Sequence, residues 1–259
     1  MEILTNSHKC DNIKPSADKS ADSFRVTDIK QGLKNENRVN IYIDGEFEFS
    51  LDISQVVDFG VKVGKDFSAK EIAEMKSASE FGKLYQSTLE WALLRPHSEK
   101  ELRDHLKGKQ FKRVLENRKR EINKEKLENN PDLKKRRKEL KIKTKLLPEI
   151  SDENVKKVIK RLKERDYVDD QKFAEYYLEN RFVKKGISAR RLKLELKNKG
   201  ISPEIIESVF ENNPRDEAEE IKKIIQKKRN KYDNQKLIAY LSRQGFDYSL
   251  IKTMLEVDK

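Results

Sequence analysis

The chain has 259 residues, 40% charged and 35% hydrophobic, with a formal net charge of +12. Its single cysteine, Cys10, excludes an intrachain disulfide and suits a reducing compartment, the cytoplasm. No apolar run has the pattern of a signal peptide or approaches the length of a membrane span, and the scarcity of glycine and proline suits a mostly helical chain with short connections.

Residues 1–22 are polar and aperiodic, a loose tail. Residues 24–29 and 38–43 then alternate, and Asp44-Gly45 before 47–51 is a hairpin signal. Three short antiparallel strands are expected, closed by a short helix at 68–77, in a small β module spanning 23–79. From Glu80 helical spacing takes over. Leu84, Leu89, Ala92 and Leu93 supply one apolar face, Pro96 interrupts, and Ser98 with Glu101 makes a capping box ahead of Leu102 and Leu106.

That unit recurs. Ser98, Leu102 and Leu106 are echoed by Ser188, Leu192 and Leu196, and again by Asp233, Leu237 and Leu241. Gly200 and Gly245 close the second and third copies at the same distance, a position suited to a helix end that needs positive φ. Helical stretches precede and follow each copy, with a period of about 45 residues. Such short helices must bury their stripes on one another. The expected fold is therefore mainly α: an elongated solenoid of three tandem three-helix repeats at 80–169, 170–213 and 214–259, behind the β module. The first repeat carries a long charged helical insertion at about 109–150. From Lys107 to Lys145 there are 17 basic residues against 6 acidic ones, an excess of 11 that nearly equals the net charge of the whole chain. It reads as two lengthened helices turning near Asn129-Asn130-Pro131, with Arg136-Arg137-Lys138 as the densest basic cluster.

No catalytic constellation is present. His8, His97 and His105 stand alone, in surface or capping roles, without the cysteine or paired carboxylate of a metal site. Residues 60–65 lack the glycine spacing of a phosphate loop. Asp169-Asp170 has no further acidic partner, and an N-cap on the following helix explains it without metal. No enzyme activity, cofactor or metal is expected. The basic charge favours polyanions. Arg190, Lys193 and Lys197 recur three and four apart, opposite Leu192 and Leu196 and near Lys184, Lys185, Arg191 and Lys199. Such a stripe can touch phosphates without reading sequence; a solvated helix face is the plainer reading. Tyr176 lies off the face made by Phe173, Ala174, Tyr177, Leu178 and Arg181. It could stack on a base or be an ordinary half-buried tyrosine.

The stretch Lys163-Glu-Arg-Asp-Tyr167-Val-Asp169-Asp170-Gln-Lys-Phe173-Ala174, continuing through Arg181, Gly186, Arg190-Arg191-Leu192, Glu195-Leu196 and Lys199-Gly200-Ile201, resembles the RecX family of recombinase modulators. Arg95, Ser98, Glu101-Leu102 and Leu106 match the family's first-repeat motif, and Tyr42-Ile-Asp-Gly45-Glu-Phe47 looks like the β module of its longer members. The resemblance runs from about residue 24 to the end. It implies a cytoplasmic, non-enzymatic protein that lodges in the groove of the RecA–single-stranded DNA filament. There it would limit strand exchange, ATP hydrolysis and coprotease activity in DNA repair, recombination and the SOS response. It also implies sequence-nonspecific DNA affinity, for single strands and secondarily for duplex. A monomer with no membrane partner is expected. Candidate contacts to DNA or filament are Arg95, Arg136, Arg137, Lys138, Tyr176, Arg181, Lys184, Lys185, Arg190, Arg191, Lys193, Lys197 and Lys199. The long insertion departs from the family pattern, as does a third repeat with Gln235, Ala239 and Ser242 where the basic stripe would be. The competing reading is a general sequence-nonspecific nucleic-acid-binding helical-repeat protein. A metal-dependent nuclease built on Asp169 and Asp170 is a distant third.

Overall fold

A computed structural model describes residues 23–32, 35–182, 186–214 and 216–257. The expected N-terminal tail, Lys184 and Lys185 lie outside the described residues. The chain divides into two units, Met1–Gly82 and Lys83–Lys259.

In the first unit, β1 (Ser23–Gln31), β2 (Arg38–Ile43), β3 (Glu46–Asp52) and β4 (Asp66–Ser68) form an antiparallel sheet in the order β3-β2-β1-β4. Asp44 and Gly45, both at positive φ, make the tight β2–β3 turn that the Asp-Gly pair demands. Alternate side chains (Val26, Ile41, Ile43, Phe49, Leu51 and Phe67) point into one core with Ile72 and Met75. The sequence predicts three strands and the sheet has four. β4 is too short to show periodicity, and it is defined by pairing: Phe67 lies opposite Phe24, and Arg25 grips Asp66 through bonds of 2.9 and 2.8 Å. After α1 (Ile53–Asp58), the expected short helix is part of a longer one, α2 (Ala69–Ala92), because no proline stands between Ser77 and Glu80 to stop it.

The second unit is helical, with α3 (Glu99–Glu128), α4 (Pro131–Lys135), α5 (Asp152–Glu164), α6 (Asp170–Phe182), α7 (Ala189–Asn198), α8 (Pro203–Asn212), α9 (Glu217–Lys228), α10 (Asn234–Arg243) and α11 (Tyr248–Val257). Leu102, Leu106, Leu192, Leu196, Leu237 and Leu241 are all fully buried, as their four-residue spacing requires. α6, α7 and α8 share one core cluster, and α9, α10 and α11 share another. Leu93 falls beyond the end of α2 and is 64% exposed, so it does not extend the α2 face.

The internal similarity becomes physical where these groups meet. Ser98, the N-cap of α3, donates its hydroxyl to the Lys199 carbonyl at the end of α7, at 2.9 Å. Ser188, the N-cap of α7, donates its hydroxyl to the Gln244 carbonyl at the end of α10, at 3.1 Å. One residue further on, Gly200 and Gly245 take φ of +84° and +91°. A Cβ on Gly200 would stand 2.8 Å from Lys100 Cβ, and one on Gly245 would stand 2.5 Å from Ser188 Oγ. Both glycines therefore serve the left-handed helix end and the close approach together. The start of α3 is thus seated on the end of α7, and the start of α7 on the end of α10.

The insertion is not a pair of helices. α3 runs unbroken to Glu128, α4 is a single turn, and the chain returns as a strap without helix. Side chains of α3 hold the strap by its carbonyls. Gln110 reaches the Ile150 carbonyl, Arg113 that of Pro148, Asn117 that of Leu147, Arg120 that of Lys145 and Asn123 that of Lys143. Asn117 also accepts from the Leu147 amide at 2.9 Å. These donors recur three and four apart and so share one helix face. They satisfy backbone groups that the strap's own conformation leaves open.

Candidate nucleic-acid interface

The aspartate pair divides its labour. Asp169 caps its own helix, accepting from the amides of Gln171 at 2.8 Å and Lys172 at 3.1 Å. Asp170 caps a different helix, accepting from the Glu99 amide of α3 at 2.8 Å. Asp216 and Glu217 repeat the device: Asp216 caps α9 through the amides of Ala218 and Glu219, and Glu217 accepts from the Ala189 amide of α7 at 2.6 Å. This second acidic pair went unread because Glu217 looks like an ordinary first-turn acid. Its spacing from Asp216, matching that of the first pair, was the available signal. Among the described residues no group of three His, Cys, Asp or Glu side chains could hold a metal.

Several candidate cations are engaged within the fold. Arg181 makes two bonds of 3.0 Å to Glu195, which also accepts from the Tyr177 hydroxyl at 2.8 Å. The Arg181 bond, outweighing the effect of burial, holds the Glu195 carboxyl below its ordinary range. Arg191 donates to the Arg243 carbonyl at 2.6 Å, bracing the α7–α10 junction, and Lys193 pairs with Glu207 at 2.6 Å. Lys199 and Arg95 both reach Glu101, at 2.8 and 3.0 Å. Burial would raise the Glu101 pKa, but hydrogen bonds from Lys199, Arg95 and His97 outweigh it and bring it to about 2. Glu101 therefore serves this cluster, while Ser98 Oγ accepts from its amide as the other half of the expected capping box. Tyr176 is half-buried.

His97 is buried and His105 half-buried, while His8 lies outside the described residues. His97 and His105 both stack on Trp91, with centroid separations of 3.6 and 4.1 Å. His97 is 3% exposed and donates Nδ1–H to Glu101 at 3.0 Å. Burial depresses both imidazoles, that of His105 to about 4, helped by the positive fields of Lys109, His97 and Lys112.

Other cations are open to solvent. On α7, Arg190 and Lys197 are exposed and carry no side-chain partner among the described residues, with the exposed Leu194 between them. Lys193, expected in the same stripe, is taken by Glu207. On the insertion Lys134, Lys135, Lys138, Lys141 and Lys143 are likewise exposed and unpaired, and Arg136 has only an exposed partner, Glu139, at 3.2 Å. Arg137 reaches only the Ile142 carbonyl, at 3.5 Å. A cleft of about 670 Å³ between α3 and the strap is lined by Lys124, Lys134, Arg137, Lys145 and Leu127, together with Glu121 and Glu128.

The fold and these surfaces define a class: a helical protein whose three-helix groups are coupled end to end, carrying exposed cations and a small β module. Residues 24–68 match the regulatory protein RecX N-terminal domain, and residues 169–209 match the second three-helix domain of RecX. A regulatory protein RecX of Bacillus velezensis is 27% identical over 239 residues, covering 89% of this chain and 76% of the relative. One from Clostridium perfringens is 26% identical over 241 residues, covering 89% and 94%. A crystal structure of regulatory protein RecX superposes with a TM-score of 0.56 at 21% identity, covering 90% of this chain and 99% of the other. Over both matched segments and along most of its length, the chain is similar to regulatory proteins RecX.

Proposed function

We propose that this protein binds the RecA–single-stranded DNA filament and restrains its recombinase, ATPase and coprotease activities, acting as a cytoplasmic monomer without catalysis of its own. The observation that supports it most is the coupling of three-helix groups through the paired Ser98–Lys199 and Ser188–Gln244 contacts. Coupled groups of this kind read as successive repeats, which suit a partner that is itself a repeating polymer, since many modest contacts can be spread along it. Arg190, Lys197 and the cluster Arg136-Arg137-Lys138 are the residues proposed to meet it. The other candidate cations in the described residues, Arg95, Arg181, Arg191, Lys193 and Lys199, are proposed to hold the fold.

The test is ATP hydrolysis by the cognate RecA on single-stranded DNA, with this protein added below stoichiometry. Inhibition that persists when excess single-stranded DNA is supplied supports action on the filament. Inhibition that excess DNA abolishes favours the competing reading, a general nucleic-acid-binding protein that acts by taking the strand.

A further inference from the structure

Seven of the exposed cations described above, Lys134, Lys135, Arg136, Arg137, Lys138, Lys141 and Lys143, lie on one substructure, the arm made by the outer part of α3, α4 and the strap. We propose that this arm is a preorganised binding element for the phosphodiester backbone of nucleic acid, separate from the helix faces of α7. The proposal deepens the filament reading and rests on it only for the identity of the polyanion.

Three observations carry it. First, several of the candidate cations elsewhere in the second unit are engaged within the fold, Arg190 and Lys197 apart. Arg181 is on Glu195, Lys193 on Glu207, and Lys199 and Arg95 on Glu101. On the arm, Lys134, Lys135, Lys138, Lys141 and Lys143 have no such partner. An unpaired cation releases phosphate counterions on binding without first breaking an ion pair, so these five lysines are available to a phosphate backbone as they stand.

Second, the strap is fixed rather than merely charged. The carbonyls of Lys143, Lys145 and Leu147, alternate residues, all accept from α3 side chains. The chain bends at Lys145, and two residues of backbone keep the Cα atoms of Lys143 and Lys145 within about 7 Å of each other. Both lysines are exposed. Holding the backbone in advance reduces the ordering cost of binding.

Third, the arm's tip is closed as a compact turn. Lys141 takes φ +51°, and the Ile142 amide donates to the Arg137 carbonyl at 3.1 Å. This seals the turn that carries Arg136, Arg137 and Lys138 on consecutive exposed positions, pointing in several directions around one turn. Such an arrangement meets a charged backbone without selecting a base sequence.

The experiment compares two full-length variants by anisotropy of labelled oligothymidine and of a labelled duplex, between about 50 and 200 mM salt. In one variant Lys134, Lys135, Arg136, Lys138 and Lys143 become Gln; in the other Arg190 and Lys197 become Gln. All seven side chains are exposed, and circular dichroism checks that each variant folds. The arm variant is expected to lose at least tenfold in affinity, and its salt slope to shrink by up to about 3.5, at roughly 0.7 for each of five lost single-strand contacts. The α7 variant should lose far less. Wild-type affinity in the arm variant, or equal losses in the two, would overturn the proposal. So would a loss confined to anionic vesicles of phosphatidylglycerol, which would make the arm a membrane element. Running the RecA ATPase assay on the same proteins separates the readings: wild-type protein that binds oligothymidine through the arm yet never inhibits sinks the filament reading and leaves the arm proposal standing.

Discussion

At the residue scale, the side chains that look most chemical are structural. The aspartate pair caps two helices at once, so Asp169→Ala and Asp170→Ala should each cost about 1 kcal/mol. Urea unfolding of both variants, with and without magnesium, checks this; a magnesium-dependent gain in wild-type stability would contradict the capping role. Trp91 is the chain's only tryptophan, stacked against His97 and His105, and so reports on both. Imidazolium quenches indole emission, so fluorescence should fall with a midpoint near the His105 pKa of about 4. A midpoint near the ordinary histidine value would mean that the stack is open to water. The sign of the stability effect follows. His105 is depressed on folding, so the unfolded chain takes up the proton first, and stability is lost as pH falls from about 6.5 towards about 4. Glu101 adds a second loss at lower pH: its contribution is whole above about 4.5 and disappears as pH falls towards about 2.

At the element scale, α7 carries two adjacent arginines with different surroundings. Arg190 is exposed and unpaired, whereas Arg191 crosses to the end of α10. Arg191→Ala should lower the denaturant midpoint, by roughly 1–3 kcal/mol for the charged hydrogen bond lost, and Arg190→Ala should leave it within about 0.5 kcal/mol. Equal midpoints in the two variants would refute the assignment. Gly245→Ala should cost more than a surface change. The left-handed conformation alone disfavours a Cβ by about 1–2 kcal/mol, and the new methyl would press on Ser188 Oγ at 2.5 Å. Calorimetry of this variant beside Ala239→Gly, an exposed helix position, would show whether the junction or helix propensity dominates.

At the scale of the whole molecule, what was legible in the sequence is what periodicity and local chemistry control. Leucines four apart had to be buried, Asp44-Gly45 had to turn, and Ser98 and Ser188 had to cap, because each outcome depends on a few neighbouring residues. Leu192→Ala should accordingly cost about 2–5 kcal/mol, since its site is closed to solvent, and the urea midpoint will show it. The family resemblance was legible for the same reason: its motif residues include caps and junctions that fix the fold, Ser98, Asp170, Glu195 and Gly200 among them. The tertiary structure alone decided which charges are free. A lysine in a sequence carries no sign of whether a glutamate fourteen residues away, as with Lys193 and Glu207, will neutralise it. Nor could periodicity find β4, which exists only through its pairing with β1, or the strap, whose backbone is satisfied by side chains of α3 rather than by its own helix. Composition placed the excess charge near residues 107–145, and long-range hydrogen bonding determined that this charge stands on a fixed arm while much of the charge on α7 is spent inside the fold.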